Sequence, residues 1–370
     1  MEKLDLCVPC LFGLEGPVGN ELRHMGLTNV MPENGHVRFT GDESAVARVN
    51  LRSRFGERVL IELGRFEAKT FDQLFEGVKA LPLADVIPRD GQFPVKGYCL
   101  NSALHSVPDC QRIIKKAASV RLGADHGIQW LPETGALYQL QFSIIKDRAE
   151  IYLDTTGAPL FKRGYRPGHV AAPLRETLAA AMVNFARYRG REAFWDPFCG
   201  SGTIPIEAAL IAKNRAPGLY RSFAAEGWAT VDPALWRSAR TEALDREYSG
   251  NYQIFASDID PKSLDIARSN AKKARVEGLI RFSQQDAAAL TPPAEAGILV
   301  CNPPYGERML EKREARELYR RMGESWNGKG GWKQYYISSD EAFEQFLGRR
   351  ADKKRKLYNG MIRCNYYMYL

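Results

Sequence analysis

Apolar and polar positions in the second half of the chain repeat in one order: a short apolar run, a polar turn, then a segment of helical period. The apolar runs lie at residues 194–196, 253–258, 280–286 and 298–301, and helices are expected at 204–210 and 262–274. Short strands that alternate with helices are typical of a parallel, doubly wound α/β sheet. Asn359-Gly360 is a strong two-residue turn signal and predicts a hairpin near the end of the chain.

The first half of the chain predicts shorter, mixed elements. Strands are expected at residues 4–13, 37–40, 59–66, 138–145 and 148–154, and helices at 44–51, 71–80 and 109–122. The strands 138–145 and 148–154 form a predicted hairpin about Lys146 and Asp147. This mixture is typical of an α+β region. Because 370 residues exceed what one hydrophobic core usually serves, two or three domains are expected.

The tetrapeptide Asn-Pro-Pro-Tyr at residues 302–305 is suited to methyl transfer to a planar nitrogen. Each proline fixes its φ and lacks an N–H, so Asn302 begins a stiff, extended turn. An exocyclic amine is a poor nucleophile because its lone pair is delocalised. The Asn302 side-chain oxygen and the Pro303 carbonyl can localise that pair, and Tyr305 can stack on the base. Pro-rich turns after buried strands are also common without such a role, so this interpretation depends on the sequence upstream.

A glycine turn and two acids lie at the ends of the earlier predicted strands. D-P-F-C-G-S-G-T at residues 196–203 joins a strand to a helix, and its glycines let the backbone pass close to a ligand. The spacing matches neither the nicotinamide-binding nor the P-loop pattern. Asp258 can accept hydrogen bonds from ribose hydroxyls, and Asp286 from an adenine amine. Either acid alone would more often be a helix cap or a turn residue.

These elements, in this order, resemble the S-adenosylmethionine-dependent methyltransferases that act on amino groups. D-P-F-C-G-S-G-T-I-P-I-E-A-A at 196–209 and N-P-P-Y-G-E-R at 302–308 are similar, more narrowly, to the guanine-N2 RNA methyltransferases with a THUMP domain, especially the 23S ribosomal RNA (RlmL-like) group. K-R-G-Y-R at 162–166 and A-P-L-R-E-T-L-A at 172–179 match that family's entry into its catalytic domain. Residues 96–102 and 111–117 look like parts of a THUMP domain.

The resemblance implies a Rossmann-like class I methyltransferase domain at residues 162–370, with a parallel sheet that contains one antiparallel strand. It implies a ferredoxin-like α+β region at 1–62, a THUMP RNA-binding domain at 63–158, and S-adenosylmethionine as cofactor. The residues implied in cofactor binding are Asp196, Phe198, Gly200, Ser201, Gly202 and Thr203 (amino-acid end), Asp258 (ribose), Ile259 and Asp286 (adenine), and Asn302. The implied catalytic residues, which hold the target base, are Asn302, Pro303, Pro304 and Tyr305.

The net charge of +8 is distributed unevenly. Residues 1–160 hold 18 Lys and Arg against 20 Asp and Glu, a net −2, whereas residues 161–370 hold 34 against 24, a net +10. Long-range attraction to phosphate is therefore expected from the catalytic half, and the THUMP-like half needs a local patch. The candidates for that RNA-binding patch are Lys96, Arg112, Lys115, Lys116 and Arg121.

Two basic segments follow the N-P-P-Y turn. The first holds Arg308, Lys312, Arg313, Arg316, Arg320 and Arg321. It alternates with glutamates at helical spacing, so a solvated, internally paired helix and an RNA contact both remain open. The second holds Arg349, Arg350 and residues 353–356. Upstream, Phe223, Trp228 and Trp236 are expected to lie in a core rather than against bases.

Cys7 and Cys10 form a C-x-x-C pair, but no second pair or histidine cluster stands at zinc-site spacing, so no metal is expected. No apolar run approaches the length of a membrane span, and residues 1–5 lack the regions of a signal peptide. With 45% hydrophobic and 26% charged residues, the composition is ordinary for a soluble protein. A cytoplasmic location without a membrane partner is expected.

The sequence thus predicts an S-adenosylmethionine-dependent enzyme that methylates the N2 amine of a guanosine in RNA, with 23S rRNA favoured. Methylation of a tRNA guanosine is one alternative. Adenine-N6 methylation of DNA is allowed by the turn and disfavoured by the THUMP-like half. A non-catalytic RNA-binding assembly factor is the alternative from another class, and the intact glycine turn and acids argue against it. The RNA, the nucleotide and the oligomeric state do not follow from the sequence.

Overall fold

The computed structural model describes residues 3–166, 174–289, 291–305, 312–328 and 330–370. Ala172 and Pro173 of the entry motif, and Gly306, Glu307 and Arg308 after the N-P-P-Y turn, lie outside the described residues. The chain divides into two compact units. The first unit comprises Met1–Cys10, Val18–Leu160 and Ser222–Thr241, and the second unit comprises Leu11–Pro17, Phe161–Arg221 and Glu242–Leu370.

The first unit is built on one seven-stranded sheet. Its strands are β1 (Leu4–Pro9), β2 (Thr28–Glu33), β3 (His36–Gly41), β4 (Leu60–Glu67), β5 (Val95–Leu100), β6 (Leu140–Ile145) and β7 (Arg148–Asp154), in the order β2-β3-β1-β4-β7-β6-β5. Only the edge pair β5 and β6 is parallel. Because β4 pairs with β1 on one side and β7 on the other, the predicted ferredoxin-like and THUMP regions share this sheet.

Four helices accompany these strands in the sequence: α1 (Glu15–His24), α2 (Glu43–Arg52), α3 (Phe71–Lys79) and α4 (Val107–His126). Local signals explain where they begin and end. The Asp42 carboxylate caps α2 by accepting from the Ala45 N–H at 2.8 Å, and Thr70 and Gln73 form a capping box at the start of α3. Gly127 ends α4 with a φ of 64°.

The predicted elements of the first half are confirmed with shifted ends. The hairpin between β6 and β7 turns at Lys146 and Asp147, whose φ values of 50° and 65° suit a two-residue turn. The predicted first strand ends at Pro9 instead of extending to Gly13. The strand β2 was not predicted, because five of its six residues are exposed and its sequence therefore carries no alternation.

Ser222–Thr241 is a part of the first unit that no sequence pattern predicts. Phe223, Trp228 and Trp236 are buried, as expected. The Trp228 ring stacks on Tyr138 with 4.9 Å between centroids, and its indole N–H donates to the Leu137 carbonyl at 2.8 Å. The segment that lies in sequence between a helix and a strand of the second unit therefore completes the core of the first.

The second unit is built on another seven-stranded sheet. Its strands are β8 (Ala193–Asp196), β9 (Ile254–Asp258), β10 (Ile280–Gln284), β11 (Gly297–Cys301), β12 (Trp332–Ser338), β13 (Lys353–Asn359) and β14 (Ile362–Tyr369), in the order β10-β9-β8-β11-β12-β14-β13. The five strands from β10 to β12 are parallel, and β14 runs antiparallel to both of its neighbours. The predicted α/β sheet with one antiparallel strand is confirmed.

Helices cover both faces of this second sheet. They are α5 (Glu176–Phe185), α6 (Thr203–Ala212), α8 (Pro261–Lys273), α9 (Lys312–Trp326) and α10 (Phe343–Leu347), whereas α7 (Pro233–Asp245) begins in the Ser222–Thr241 segment of the first unit. Adjacent residues of a strand point to opposite faces. Tyr336 packs against Phe343 of α10, whereas Tyr335 stacks on Tyr366, whose hydroxyl donates to the Met182 carbonyl in α5 at 2.8 Å. The buried strands thus lie between two helical layers, as the doubly wound pattern predicts.

Two details of the second unit correct the sequence-based predictions. The strand β10 ends at Gln284, two residues before Asp286. In the final hairpin Asn359 pairs with Ile362, so the turn residues are Gly360 and Met361 rather than Asn359 and Gly360. Gly360 takes the positive φ of 64° that the first turn position requires. Asn359 remains in the strand, where its side chain contacts Tyr305.

We expect Gly297→Ala to destabilise the chain by about 1–3 kcal/mol through overpacking. A Cβ at Gly297, the first residue of β11, would lie 2.5 Å from the Ala193 carbonyl oxygen and 2.8 Å from the Trp332 ring. Urea unfolding followed by circular dichroism measures the change. Gly278→Ala is the control, because a Cβ there meets nothing within 4 Å. Equal unfolding midpoints for the two variants would contradict this account.

Candidate active site

The candidate site lies where four neighbouring parallel strands of the second unit end. The order β10-β9-β8-β11 brings their carboxyl ends to one edge of the sheet, which is where ligands bind in open α/β sheets. Asp258 ends β9, Asp196 ends β8, and Asn302 directly follows β11. Asp286 lies two residues beyond β10. The structure thus brings the predicted cofactor and base-binding residues to a common edge.

The glycine turn after β8 is tied to the end of β9. The Gly200 N–H donates to the Asp258 carboxylate at 2.9 Å, and the Asn270 side chain from α8 donates to the Ser201 carbonyl at the same distance. Gly200 and Gly202 have φ values of 48° and 83°, a region that favours glycine. The turn is therefore held in one shape by two side chains that lie far from it in sequence.

The two glycines leave different kinds of space. A Cβ at Gly202 would meet the Cβ of Ala267 in α8 at 3.0 Å, so this glycine permits close packing against a helix. A Cβ at Gly200 would meet nothing within 4 Å. The open side of the turn at Gly200 is a place where a ligand can approach the backbone closely.

Asp196 is a buried carboxyl group at the end of β8, with a side chain only 1% exposed. One oxygen accepts from the Phe198 N–H at 3.0 Å, and the other has no hydrogen-bond partner among the described residues. Burial raises the pKa of Asp196 well above its ordinary value, and the nearby Asp258 charge raises it further. A buried acid that lacks a cation fits the ammonium group of an amino acid, such as that of S-adenosylmethionine.

Asp258 and Ile259 offer groups suited to a nucleoside. The two Asp258 oxygens accept from the Gly200 N–H at 2.9 Å and from the Asp260 N–H at 3.0 Å. Each carboxylate oxygen has further lone pairs, so both can also accept from ribose hydroxyls. The Ile259 side chain is 63% exposed beside them and offers an apolar surface for a planar ring.

Asp286 has partners of its own. One oxygen accepts from the Ala288 N–H at 2.8 Å, and the other forms an ion pair with Arg321 of α9 at 3.1 Å. Arg321 lies 35 residues further along the chain, so no local pattern could indicate the pair. An adenine amine would share this carboxylate with Arg321, and the predicted role of Asp286 stays a prediction.

The N-P-P-Y turn combines an unused acceptor with firmly held neighbours. The Asn302 Oδ1 atom is enclosed and has no donor within the described part of the chain. The Pro304 carbonyl accepts from the Tyr319 hydroxyl at 2.7 Å, and the Tyr305 hydroxyl accepts from the Asn359 side chain at 3.1 Å. An enclosed acceptor without a donor costs about 1–3 kcal/mol. The Asn302 Oδ1 atom is therefore suited to accept a hydrogen bond from a ligand.

Tyr319 and Asn359 are site residues that the sequence did not reveal. Tyr319 is fully buried in α9, and burial raises its pKa above the ordinary value, so its hydroxyl keeps the proton that it donates to Pro304. The two residues lie 15 and 54 positions from their partners in the turn. Only the packing of α9 and of the final hairpin brings them there.

The K-R-G-Y-R segment forms hydrogen bonds to the helices α5 and α6, and α6 directly follows the glycine turn. Arg166 forms an ion pair with Glu176 at the start of α5, with 2.9 Å between its Nε and the carboxylate, and it donates to the Thr203 hydroxyl at 3.3 Å. The buried Glu207 of α6 accepts from Arg163 at 3.4 Å and from the Tyr165 hydroxyl at 3.2 Å. The entry motif therefore orients the start of α6, a role that its residue spacing alone did not indicate.

The five basic residues predicted to bind RNA lie on β5 and α4 of the first unit. Lys115 is held by Glu133 at 2.7 Å and by the face of the Phe93 ring at 3.3 Å. Arg121 pairs with Asp125 at 2.6 Å, and Arg112 pairs with Asp109. Lys96 is exposed and Lys116 lies 5.9 Å from the Phe75 ring. Their contact with RNA stays a prediction.

The first basic segment is largely paired. Arg320 pairs with Glu317 within α9, as the helical spacing predicts. Arg316 instead pairs with Asp340, beyond β12, at 2.8 Å, and Arg321 pairs with Asp286. Arg308, and Glu307 and Glu311 that were predicted to alternate with the basic residues, lie outside the described residues.

The described residues carry no sign of a metal centre or of a membrane-spanning helix. No group of three or more His, Cys, Asp and Glu residues there is arranged to hold a metal ion. None of the helices in the described ranges is both long and apolar enough to cross a membrane. Cys7 and Cys10 are both buried, and burial raises the pKa of Cys7 to about 12.

Three family models match the chain. Residues 163–368 match the RMKL-like methyltransferase domain, residues 5–60 match the RlmL ferredoxin-like domain, and residues 68–154 match the THUMP domain. The first of these matches covers the whole candidate site.

Individual proteins agree with these matches. The chain is 44% identical to the putative RNA methyltransferase YpsC of Bacillus subtilis, over 100% of this chain and 96% of that protein. It is 35% identical to the ribosomal RNA large subunit methyltransferase K/L of Psychromonas ingrahamii, over 98% of this chain and 49% of that protein, so it spans about half the length of such relatives. The crystal structure of SMU.472, a putative methyltransferase complexed with SAH, matches with a TM-score of 0.94 and 40% identity, over 100% of this chain and 98% of that one.

Affinity for S-adenosylhomocysteine should increase as the pH rises from acid toward the raised pKa of Asp196. The ammonium group of the ligand favours the carboxylate, so binding must expel the proton that burial retains. Calorimetry in two buffers of different ionisation enthalpy measures both the affinity and the proton released. Asp196→Asn should weaken binding and abolish the pH dependence, whereas the exposed Asp265→Asn should change neither. An affinity of the wild type that is independent of pH would refute this role of Asp196.

Proposed function

The chain belongs to the RMKL-like methyltransferase family, and we propose that it methylates the N2 amine of a guanosine in RNA, with 23S rRNA as the favoured substrate. The observation that carries this proposal is the enclosed Asn302 Oδ1 atom, which has no donor among the described residues and lies in the same turn as the anchored Tyr305 ring. An exocyclic amine supplies the missing donor, and the ring supplies a surface for its base. S-adenosylmethionine is the cofactor of the family.

We assign each part of the cofactor to a different set of binding residues. Asp196, Phe198, Gly200, Ser201, Gly202 and Thr203 would hold its amino-acid end, Asp258 its ribose, and Ile259 and Asp286 its adenine. Asn302 would lie between the cofactor and the base. The buried acid Asp196 and the open side of Gly200 are the two features that fit this group best.

The reaction depends on how the amine is held. Asn302 Oδ1 and the Pro303 carbonyl accept its two N–H groups, which directs the nitrogen lone pair toward the methyl group that the bound cofactor supplies. S-adenosylmethionine, when bound, would supply the methyl group: its carbon–sulfur bond would break as the bond to nitrogen forms, and the extra proton would then leave the nitrogen to water. Tyr305 stacks on the base and keeps it in plane. Most of the effect comes from positioning, and a base inside a helix must be flipped out to reach this edge.

The choice of RNA rests on the first unit and on the relatives. The match of residues 68–154 to the THUMP model supports an RNA substrate, and the names of the K/L relatives support ribosomal RNA. We propose that the chain comprises three domains, at residues 1–62, 63–158 and 162–370, which the matched ranges support.

Within the THUMP region, Lys96 and Lys116 have no acidic partner among the described residues and would contact phosphates. The other three basic residues, Arg112, Lys115 and Arg121, would also contact phosphates by giving up the acidic side chains with which they now pair. Such an enzyme acts in the cytoplasm.

Incubation of the chain with isotope-labelled S-adenosylmethionine and nucleic acid from a strain lacking the gene should place label in N2-methylguanosine of rRNA. Ribosomal RNA, tRNA and DNA are offered separately, digested to nucleosides and examined by mass spectrometry. Label in tRNA guanosine alone, or in N6-methyladenine of DNA, would replace this function with one of its enzyme alternatives. Binding of RNA without any transfer would indicate an assembly factor.

Asn302→Ala should lose about 100-fold or more in the rate of transfer, a loss similar to that for removing one hydrogen-bonding group aimed at the reacting atoms. Calorimetry should show that S-adenosylhomocysteine still binds within severalfold of the wild type, because the other cofactor contacts remain. Asn251→Ala, at an exposed position of the second unit, is the matched control and should retain full activity. Unchanged transfer by Asn302→Ala would remove Asn302 from the mechanism.

A further inference from the structure

The turn between β13 and β14 carries an unusually exposed apolar side chain. Met361 is the second residue of this two-residue turn, and its side chain is 98% exposed, the largest value among the described large hydrophobic residues. Single exposed hydrophobic residues are common and need no explanation by themselves. The surroundings of Met361 are what distinguish it.

The hairpin tip is anchored to the base-binding turn. Asn359, two residues before Met361, donates from its side-chain amide to the Tyr305 hydroxyl at 3.1 Å. Asn359 is itself paired with Ile362 across the ladder. Just below the tip, Leu357 and its cross-strand partner Cys364 are both buried. Met361 is therefore held on a fixed base beside the residue that is proposed to stack on the target guanine.

An aromatic pair lies on the same hairpin. Phe12, in the part of the chain near the N-terminus that belongs to the second unit, contacts the Tyr358 ring edge to face with 6.2 Å between centroids. The Phe12 side chain is 58% exposed. The exposed Phe12 ring therefore adds an aromatic surface, of the kind on which bases stack, to the hairpin that carries Met361.

Both strands of this hairpin carry positive charge near the tip. Lys356 precedes the tip on β13, and Arg363 lies opposite Tyr358 on β14. Neither cation has an acidic partner among the residues that the structure describes. An exposed apolar tip with a cation on each of its two strands complements a nucleic acid, whose bases are apolar on their faces and whose phosphates are negative. A protein partner would not require the cations.

We propose that Met361 is a wedge that enters the RNA helix where the target guanosine leaves it. This proposal rests on the proposed function. Flipping a base sacrifices its stacking and pairing, and an apolar side chain that fills the gap offsets part of that loss. Methionine suits the role, because it is unbranched and adapts to irregular spaces. Lys356 and Arg363 contact the flanking phosphates, and the Asn359 to Tyr305 hydrogen bond sets the spacing between the wedge and the flipped base.

The test compares two versions of an rRNA fragment that the wild-type chain methylates. In one version the target guanosine is base-paired, and in the other the opposite nucleotide is abasic, so the guanosine is unpaired. Met361→Ala should lower kcat/KM by about tenfold on the paired fragment and by less than twofold on the unpaired one, because only the paired base must be extruded. Met361→Leu should restore most of the loss. Met31→Ala, an exposed methionine of the first unit, is the matched control.

A second measurement separates the wedge from other defects. With 2-aminopurine in place of the nucleotide opposite the target, its fluorescence should rise when the wild-type chain and S-adenosylhomocysteine are added, and should rise much less with Met361→Ala. Equal losses on both fragments, no loss on either, or wild-type activity confined to the unpaired fragment would each overturn the wedge. A wild-type chain that methylates no RNA would instead overturn the proposed function itself.

Discussion

The hydrogen bond from the Gly200 N–H to the Asp258 carboxylate is the contact on which the site depends. It ties the glycine turn after one parallel strand to the end of the next strand, so the two ends behave as a single structure. The same carboxylate places a negative charge near the buried Asp196 and adds to the burial that raises the pKa of that acid. The Asp258 carboxylate thus contributes both to the shape of the glycine turn and to the negative charge beside Asp196, which favours a cation.

Some polar groups of the site have hydrogen-bond partners among the described residues, and others do not. Four side chains donate hydrogen bonds to the backbone or to a side chain of the two turns: Tyr319, Asn359, Asn270 and Arg166. Within the described ranges, Asp196 and Asn302 each retain an enclosed oxygen without a donor. Buried polar groups are nearly always hydrogen-bonded, so these two oxygens mark where a ligand completes the structure. In the function proposed above, one would receive the ammonium of the cofactor and the other the amine of a base.

The strand ends, the glycine turn and the N-P-P-Y turn could be predicted because each is specified by neighbouring residues. Apolar runs determine the strands, glycine and proline determine the turns, and parallel strands must end at one edge. The supporting residues could not be predicted in the same way. Tyr319 reaches Pro304 only because α9 packs on the sheet, and Arg321 reaches Asp286 for the same reason. The place of Ser222–Thr241 in the first unit likewise depends on rings that meet only after folding.

From the sequence alone came the α/β class and the order of the strand-end motifs, because local residue types specify them, and its resemblance to a known family implied the cofactor. Tertiary structure alone decided which polar atoms are left without partners, which side chains hold the turns, and where the final hairpin lies. Met361 was an ordinary turn neighbour in the sequence. The hydrogen bond between Asn359 and Tyr305 places it near the N-P-P-Y turn, because packing brings together residues that are 54 positions apart.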